Sequence, residues 1–340
     1  MAVRLVEVTR GKVCESISRG DVAVVSGQGR IIASAGDPHK YTYMRSAAKP
    51  LQALHVLLTG AAHHFGFSSA EIAVMCASHY GEPFHRQTVK SILDKIGLTP
   101  DHILAGTVTS LDPTYALELA RHQVPLDPLF SDCSGKHAGM LAVCQYKGYP
   151  VDHYISPDHP LQQEIIQLIA SVCRYEADHI AMGIDGCSVP VHALPLSHMA
   201  QGYARLTTTS LLAGEQQAAA GSIFGAMNRH PEMVAGTNGF CTELIRHTHG
   251  KLIGKIGAEG VYCIGLKNKN MGIAVKMEDG SMKRVPPVVM EVISQLGVLN
   301  RQELQALEPW HCMDNFNDVR WKVGSIQPVF ALTKASEADL

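Results

Sequence analysis

The chain contains 340 residues, of which 46% are hydrophobic and 18% are charged, and its formal net charge is −2. This balance argues against nucleic-acid binding, which needs a strongly basic surface, and no run of the chain approaches the roughly 20 apolar residues that span a bilayer. The N-terminus lacks the apolar core of a signal peptide, and the nine cysteines contain no C-x-x-C pair. We therefore expect a cytoplasmic globular protein with free thiols and without a nucleic-acid or membrane partner.

The predicted elements begin with strands, give way to helices from about residue 46 to 235, and return to strands after about residue 240. Alternating or β-branched runs separated by turn residues predict strands at residues 5–9, 22–25, 30–34, 251–257, 260–265 and 271–276, with a hairpin joining 22–25 to 30–34. Apolar residues at helical spacing predict helices at residues 68–77, 83–95, 160–172, 211–227 and 288–296. A capping box of Ser68 and Glu71 marks the start of the first of these helices, and Pro83 marks the start of the second.

Both strand-rich ends are expected to share one antiparallel sheet flanked by helices, because a sheet must bury one face against another layer. We predict a single catalytic domain, residues 1–340, of two intertwined layers. The sheet layer is expected from about 1–45 and 240–340, and the helical layer from about 46–235. An active site is expected in the cleft between such layers.

Ser46 and Lys49 lie three residues apart in the stretch MRSAAKPLQ, a spacing that puts two side chains on one face of a helix. A serine becomes a strong nucleophile when a base removes its proton, and a lysine can be that base when burial or positive neighbours lower its pKa. A helix cap beside a solvated lysine is the alternative. Because Pro50 has no N–H to bond the Ser46 carbonyl, we predict that Ser46 lies at or before the first residue of the helix.

Two further positions extend this pair. Ser78 lies between a helix that ends and one that begins, and Lys255 lies in a predicted strand two residues before Gly257, where the missing side chain allows close approach to the backbone. The order S-x-x-K, serine, K-x-G is that of serine β-lactamases and penicillin-binding proteins. With the order of strands and helices, it predicts an α/β (α+β) fold of the serine β-lactamase and penicillin-binding-protein type.

A second group of reactive residues comprises Cys133, Lys136 and Cys187, which lie in or beside glycine-rich turns. Thiolates are favoured ligands of zinc, and three protein ligands with one water form an open site. From spacing alone, two buried free cysteines remain the alternative. Asp185 is either a residue that orients a ligand or a turn residue.

Several polar residues adjoin these motifs and are predicted to bind substrate. Arg45 beside Ser46 is a plausible carboxylate anchor, with a surface ion pair as the alternative. The other predicted substrate-binding residues are His79, Glu82, His137 and Asp185.

At these residues the chain resembles the asparaginase II family, the bacterial L-asparaginases related to the Rhizobium etli enzymes. The similarity runs in family order over essentially the whole chain. The matching stretches are RSAAKPLQAL (45–54), CASHYGEPFH (76–85), CSGKHAGMLAVC (133–144), GIDGCSVP (183–190) and KIGAEGVYCIG (255–265).

The resemblance implies hydrolysis of the side-chain amide of L-asparagine to L-aspartate and ammonia, by a homodimer. It implies two serine–lysine pairs, which carry over as Ser46 with Lys49 and Ser78 with Lys255. It also implies one zinc ion per subunit, held by Cys133, Lys136 and Cys187 and completed by water. The sequence departs from the family at Tyr80, where a small residue is usual, and at Ser131 and Asp132, where asparagines are common.

Which serine attacks is open, and we favour Ser46 with Lys49 as its base. Neighbouring positive charge from a second lysine and from zinc is expected to lower the pKa of that base. Two other functions are considered: another serine amidohydrolase of the β-lactamase-like fold, and a zinc-dependent asparagine-binding protein without turnover.

Overall fold

A computed structural model describes residues 1–267 and 269–335. The strands are β1 Val3–Arg10, β2 Val13–Ser26, β3 Ile31–Ala35, β4 Tyr41–Tyr43, β5 Ala181–Ile184, β6 Pro190–Pro195, β7 Leu252–Gly257, β8 Val261–Leu266, β9 Met271–Met277, β10 Met313–Phe316, β11 Lys322–Pro328 and β12 Thr333–Lys334.

The α-helices are α1 Lys49–Leu58, α2 Ala61–His64, α3 Ser69–Met75, α4 Pro83–Ile96, α5 Pro113–Arg121, α6 Ser134–Lys147, α7 Pro160–Cys173, α8 Leu196–Thr207, α9 Glu215–Arg229, α10 Pro231–Ala235, α11 Phe240–His247, α12 Val285–Gln295, α13 Arg301–Ala306 and α14 Glu308–His311. Short 3-10 helices cover Arg45–Ala48, Pro100–His102, Pro128–Phe130, Ala177–His179, Thr209–Leu211 and Met282–Arg284. Within the described residues, no helix combines the length and the apolar character that crossing a membrane requires.

The chain divides into two compact units. The first, here called the sheet unit, contains Met1–Ala47, Leu194–Thr208 and the described chain from Glu243 onward. The second, the helical unit, contains Ala48–Ala193 and Thr209–Thr242. The predicted division into one domain of two layers stays a prediction, and residues 336–340 of its sheet layer lie outside the described residues.

The sheet unit is built on one antiparallel sheet with the strand order β10-β11-β1-β2-β9-β8-β7, to which β3 adds beside β2 and β12 beside β3. The long strand β2 holds this sheet together, because its first half pairs with β1 and its second half with both β3 and β9. Helix α8 packs directly on β9, where a Cβ on Gly272 would lie only 1.9 Å from the Ala200 carbonyl oxygen. Only glycine permits that approach.

The helical unit has α1 at its centre, since α6, α7 and α9 all contact it. Eight of its ten residues are buried, from Lys49 to Val56. A helix buried on every side is apolar all round in most proteins. The polar residues Lys49, Gln52 and His55 on α1 therefore need partners inside this unit.

Most predicted elements are present. The hairpin of β2 and β3, the capping box of Ser68 and Glu71 and the Pro83 start of α4 are confirmed. Helix α9 begins at Glu215 and not at residue 211, because Thr209–Leu211 forms a 3-10 helix. The region predicted to be wholly helical also contains the antiparallel pair β5 and β6. The mixed α/β class with an antiparallel sheet is confirmed.

Candidate active site

Lys49 and Ser78 form a direct contact inside the helical unit. The Lys49 Nζ donates to Ser78 Oγ at 2.9 Å, and it also contacts the main-chain oxygen and Oδ2 of Asp132, each at 3.3 Å. Lys49 is 1% exposed and Ser78 is 5% exposed, so their contact is shielded from bulk water. A buried amine and a buried hydroxyl at this distance can exchange a proton directly.

Local hydrogen bonds bring Ser78 to this lysine. Ser78 follows the end of α3, and its N–H donates to the Val234 carbonyl at 3.0 Å. The next N–H, from His79, donates to the Asp132 carbonyl at 3.3 Å, which is also a Lys49 acceptor. The segment that carries Ser78 is therefore fixed to the residue that precedes Cys133.

The pKa of Lys49 differs from the sequence-based expectation. Burial, the largest effect, lowers the pKa of this ammonium, but the negative charge shared by the hydrogen-bonded pair Cys133 and Cys187, together with that of Asp132, outweighs burial and holds it above its ordinary value. The expectation counted the positive charges of a second lysine and of bound zinc, and it omitted these acidic neighbours. In the protein chain by itself, Lys49 is therefore an ammonium at neutral pH.

Cys133, Lys136 and Cys187, the three residues predicted to bind zinc, meet in the same unit. Cys133 caps α6, Lys136 follows one turn later, and Cys187 comes from the turn between β5 and β6. The Lys136 Nζ donates to Cys187 Sγ at 2.9 Å, and Cys133 hydrogen-bonds to Cys187. All three residues are buried.

The two thiols of this cluster differ in protonation. The hydrogen bond from Cys133 and the charge of Lys136 lower the pKa of Cys187, although burial opposes this change. The same hydrogen bond, together with burial, raises the pKa of Cys133. Cys187 is therefore a thiolate that accepts from the Cys133 thiol and from Lys136.

The chemistry of this donor set fits zinc, because two sulfur atoms and one amine are ligand types that a borderline-soft cation accepts. Within the described residues, no group of three or more His, Cys, Asp or Glu side chains is placed to hold a metal ion, and this cluster contains two such residues and a lysine. Zinc binding stays a prediction.

His137 lies beside Cys187, the thiolate of the cluster. Its Nδ1 lies 2.6 Å from the hydroxyl of Tyr154, which itself accepts the Leu104 N–H at 3.0 Å. The Tyr154 proton is then free to be donated to Nδ1, which leaves the His137 proton on Nε2. Among the described residues, Nε2 has no partner at ordinary hydrogen-bond geometry, but the Cys187 sulfur lies close enough to raise the pKa of His137 against the stronger effect of burial.

The other predicted substrate-binding residues of the helical unit already have protein partners. His79 is fully buried; its Nδ1 accepts the Gly81 N–H at 3.1 Å, and its Nε2 lies 2.8 Å from Ser134 Oγ. Burial holds the pKa of His79 well below its ordinary value, so the ring is neutral. Asp185 lies in the turn that carries Cys187, where its Oδ1 accepts the Gly186 N–H at 2.9 Å.

Glu82 fixes a loop. The Thr237 N–H donates to Glu82 Oε2 at 3.0 Å, and the Thr237 hydroxyl donates to Oε1. The ring of Tyr80 packs against Gly236 and Gly239 of the same loop. Burial raises the pKa of the Tyr80 hydroxyl to about 12. The carboxylate predicted to bind substrate therefore also holds residues 236–239 in place.

Ser46, Arg45 and Lys255 belong to the sheet unit. Ser46 lies in the 3-10 helix Arg45–Ala48, immediately before α1, as Pro50 predicts. Arg45 has a φ of +49°, a left-handed conformation that is uncommon outside glycine. Lys255 is fully buried on β7, and its Nζ donates to the Ile256 carbonyl at 2.7 Å. The same strand brings Gly257 against the turn that contains Ser46, since a Cβ there would lie 2.6 Å from the Met44 carbonyl oxygen.

Sequence reasoning missed three contributors to this site: Asp132 as a partner of Lys49, Tyr154 as a partner of His137, and Thr237 as a partner of Glu82. Asp132 is the one with a signal in the sequence, because it directly precedes the helix cap Cys133. Tyr154 and Thr237 lie 17 and 155 residues from their partners, and no local pattern connects them.

Comparison with known proteins identifies the family. The family model for L-asparaginase II matches residues 6–328, and no curated protein matches the chain. Among solved structures, the chain is similar to Mglu in its tris and glutamate form, with 13% identity and a TM-score of 0.37 over 82% of this chain and 59% of that chain. It is also similar to a β-lactamase from Mycobacterium bovis, with 15% identity and a TM-score of 0.38 over 81% of this chain and 94% of that chain.

The chain thus spans about three fifths of the Mglu chain. At these TM-scores neither structure carries an argument about this protein. The family match does carry such an argument, because it extends over nearly the whole chain and includes all the site residues described above. The family predicted from the sequence is confirmed, and the chain belongs to the L-asparaginase II family.

Proposed function

We propose that this protein is an amidohydrolase that converts L-asparagine to L-aspartate and ammonia through a serine–lysine mechanism. Membership of the family supports the substrate class. The observation that carries the mechanism is the buried contact between Lys49 Nζ and Ser78 Oγ at 2.9 Å, which joins a potential base to a hydroxyl away from water. A lysine at the surface would be solvated by water, whereas the buried Lys49 ammonium needs protein partners.

In the proposed reaction, Ser46 attacks the side-chain amide carbon and Lys49 takes its proton. A bond forms between Ser46 Oγ and the carbonyl carbon, and the C–N bond breaks as ammonia leaves with a proton passed from Lys49 through Ser78. Water then attacks the ester carbon and gives a proton to Lys49, the bond between that carbon and Ser46 Oγ breaks to release aspartate, and Lys49 returns the proton to Ser46 Oγ. Lys255 is proposed to act with Ser78, and the Ser46 N–H is proposed to donate to the oxyanion.

This mechanism needs Lys49 to be neutral in the reacting state, whereas the acidic residues Cys133 and Asp132 favour its ammonium form. Cys133, Lys136 and Cys187 would hold zinc in the proposed enzyme. When bound, zinc supplies positive charge that neutralises the thiolates and so removes one cause of the raised Lys49 pKa. The role of these three protein residues is to hold that charge near the base.

Arg45 and His137 are proposed to contribute to binding of the substrate, Arg45 through its charge toward a carboxylate. Glu82 and His79 are proposed to hold neighbouring segments in place rather than to contact the substrate. Glu82 bonds to Thr237, and His79 bonds to Ser134 and Gly81. A homodimer in the cytoplasm remains the predicted state, and light scattering tests the dimer.

The decisive experiment measures ammonia release from L-asparagine and L-glutamine for the purified protein, with zinc and after treatment with a chelator. We expect release from asparagine, and loss of release in Ser46→Ala. Loss in Ser78→Ala with near-normal release in Ser46→Ala would reverse the roles of the serines. Hydrolysis of nitrocefin without asparagine turnover would favour another serine amidohydrolase, and tight asparagine binding without ammonia would favour a binding protein.

A further inference from the structure

The turn that carries Ser46 has an unusual backbone. Arg45, directly before Ser46, has a φ of +49°, and the 3-10 helix Arg45–Ala48 is closed by the Ala47 N–H bonding the Met44 carbonyl at 3.1 Å. Left-handed backbone at a bulky residue is strained and persists only when the surroundings determine it. Contacts outside the turn must therefore fix its conformation.

One of these contacts comes from strand β7. A Cβ on Gly257 would lie 2.6 Å from the Met44 carbonyl oxygen and 3.2 Å from the Ala47 nitrogen. The turn therefore rests directly on the backbone of the strand that also carries Lys255. This contact limits movement of the turn toward the sheet, but it supplies no hydrogen bond to the carbonyls at the end of the turn.

Pro50 removes the regular 3-10 donor of the Ala47 carbonyl. A residue with an N–H at position 50 would bond the Ser46 carbonyl in an α-helix and the Ala47 carbonyl in a 3-10 helix. Proline has no N–H and can form neither bond. The hydroxyl of Tyr203 takes this place, since it donates to the Ala47 carbonyl at 2.7 Å. Tyr203 lies 156 residues away in the chain and is fully buried.

The helix that carries Tyr203 is itself a fixed support. Helix α8 lies so close to β9 that a Cβ on Gly272 would meet the Ala200 carbonyl at 1.9 Å. Tyr203 follows Ala200 by one turn on this helix. A hydroxyl on such a support fixes its acceptor more precisely than a loop residue or a water would.

We infer that Tyr203 is a positioning residue for the reaction, which holds the Ser46 turn through the Ala47 carbonyl and replaces the hydrogen bond that Pro50 removes. This inference rests on the proposed function with Ser46 as the nucleophile. Tyr203 does not contact the substrate in this role; it fixes the direction in which the neighbouring serine presents its hydroxyl.

The test compares Tyr203→Phe with Thr207→Val. Both variants lose one buried hydroxyl from α8, but the Thr207 hydroxyl donates within its own helix, to the Tyr203 and Ala204 carbonyls. We expect Tyr203→Phe to lower kcat for asparagine about tenfold or more, with KM within about twofold. Thr207→Val should keep the parental kcat.

Hydrogen exchange provides a readout that does not depend on turnover. In Tyr203→Phe, peptides covering residues 44–51 should exchange at least several-fold faster, whereas Thr207→Val should leave these peptides unchanged. Melting temperatures identify any general loss of stability, which both variants would share. Equal effects of the two variants, or unchanged exchange at residues 44–51, would overturn the inference.

The parental protein and Ser46→Ala separate this inference from the function on which it rests. Absence of ammonia release from the parental protein defeats the proposed function. Full activity in Ser46→Ala defeats the assignment of the nucleophile and, with it, the role of Tyr203. Activity that depends on Ser46 but not on the Tyr203 hydroxyl defeats the inference alone.

Discussion

Lys49 and Lys136 are both buried lysines in the first turn of a helix, but their ammonium groups face different chemistry. Lys49 begins α1 and contacts oxygen atoms of Ser78 and Asp132, whereas Lys136 lies in the first turn of α6 and contacts the sulfur of Cys187. The positive end of a helix dipole disfavours a cation at both places. Each lysine therefore depends on its anionic neighbours, which raise the pKa of both.

The difference between the neighbours suggests the difference in role. A hydroxyl can pass a proton to and from an amine, so the Lys49 side suits acid–base chemistry. A thiolate cluster suits a soft cation, to which a deprotonated lysine can also bind. We propose that the two lysines serve these two different purposes, and variants at each lysine can separate them.

Replacement of Lys49 should give the largest effect. We expect Lys49→Met to lower kcat for asparagine about a thousandfold, because loss of a general base costs about 10²–10⁴ in rate. Lys49→Arg is the matched control, since it keeps the positive charge but cannot act as a base. Ammonia release measures both, and substantial activity in Lys49→Arg would indicate that the charge matters and proton exchange does not.

Replacement of Lys136 should act on metal affinity. We expect Lys136→Met to weaken zinc binding about 10–100-fold, judged by competition with a chromophoric chelator, because one of three protein ligands is lost. Lys147→Met is the control on the same helix, since Lys147 pairs with Glu164 away from the thiols. Equal zinc affinity in the two variants would show that Lys136 is not a zinc ligand, and the proposed difference between the two lysines would then be wrong.

The sequence predicted only part of the difference between the surroundings of Lys49 and Lys136. Local signals were sufficient for the capping box at Ser68, the start of α4 at Pro83 and the position of Ser46 before α1, because each depends on residues within four positions. The spacing of Cys133 and Lys136 also follows from one helical turn. Their meeting with Cys187 was implied by the family resemblance, since spacing alone left two free cysteines as the alternative.

What local patterns could not give were pairings across long stretches of chain. The contact between Lys49 and Asp132 spans 83 residues and that between Tyr203 and Ala47 spans 156. These pairings depend on how α6 packs on α1 and how α8 packs on the sheet. The raised pKa of Lys49 in the protein chain by itself could not be predicted from local patterns for this reason, because it depends on Asp132, Cys133 and Cys187, which lie far from Lys49 in the chain. A lowered pKa in the zinc-bound site stays a prediction.

Asp132→Asn tests the charge that faces Lys49. Removal of this carboxylate takes away one of the charges that raise the pKa of Lys49. If neutral Lys49 is the base, activity is lost as pH falls through its pKa, so a lower pKa moves the acidic limb of the kcat/KM profile to lower pH. We expect several-fold more activity than the parental protein on that limb. If the acidic limb of the profile stays at the same pH in Asp132→Asn, the ionisation of Lys49 does not determine that limb.

The smallest effect at neutral pH is expected on stability, from replacement of His192, whose pKa is affected by the charge of Lys136. His192 is fully buried on β6, and neither of its ring nitrogens has a hydrogen-bond partner among the described residues. Burial, followed by the charge of Lys136, lowers its pKa to about 4. The native protein therefore keeps this ring neutral over a pH range in which the unfolded chain, with an ordinary pKa of about 6.5, takes up a proton.

Protonation of the unfolded chain alone makes the protein less stable as the pH falls from about 6.5 toward 4, by up to about 3 kcal/mol from this residue. His192→Leu removes this dependence. We expect the variant to be about 1 kcal/mol more stable at pH 7, because two unpartnered polar atoms leave the core, and to gain more at pH 5. Urea unfolding at both pH values measures the difference, and a gain that is equal at pH 5 and pH 7 would mean that His192 titrates normally in the native state.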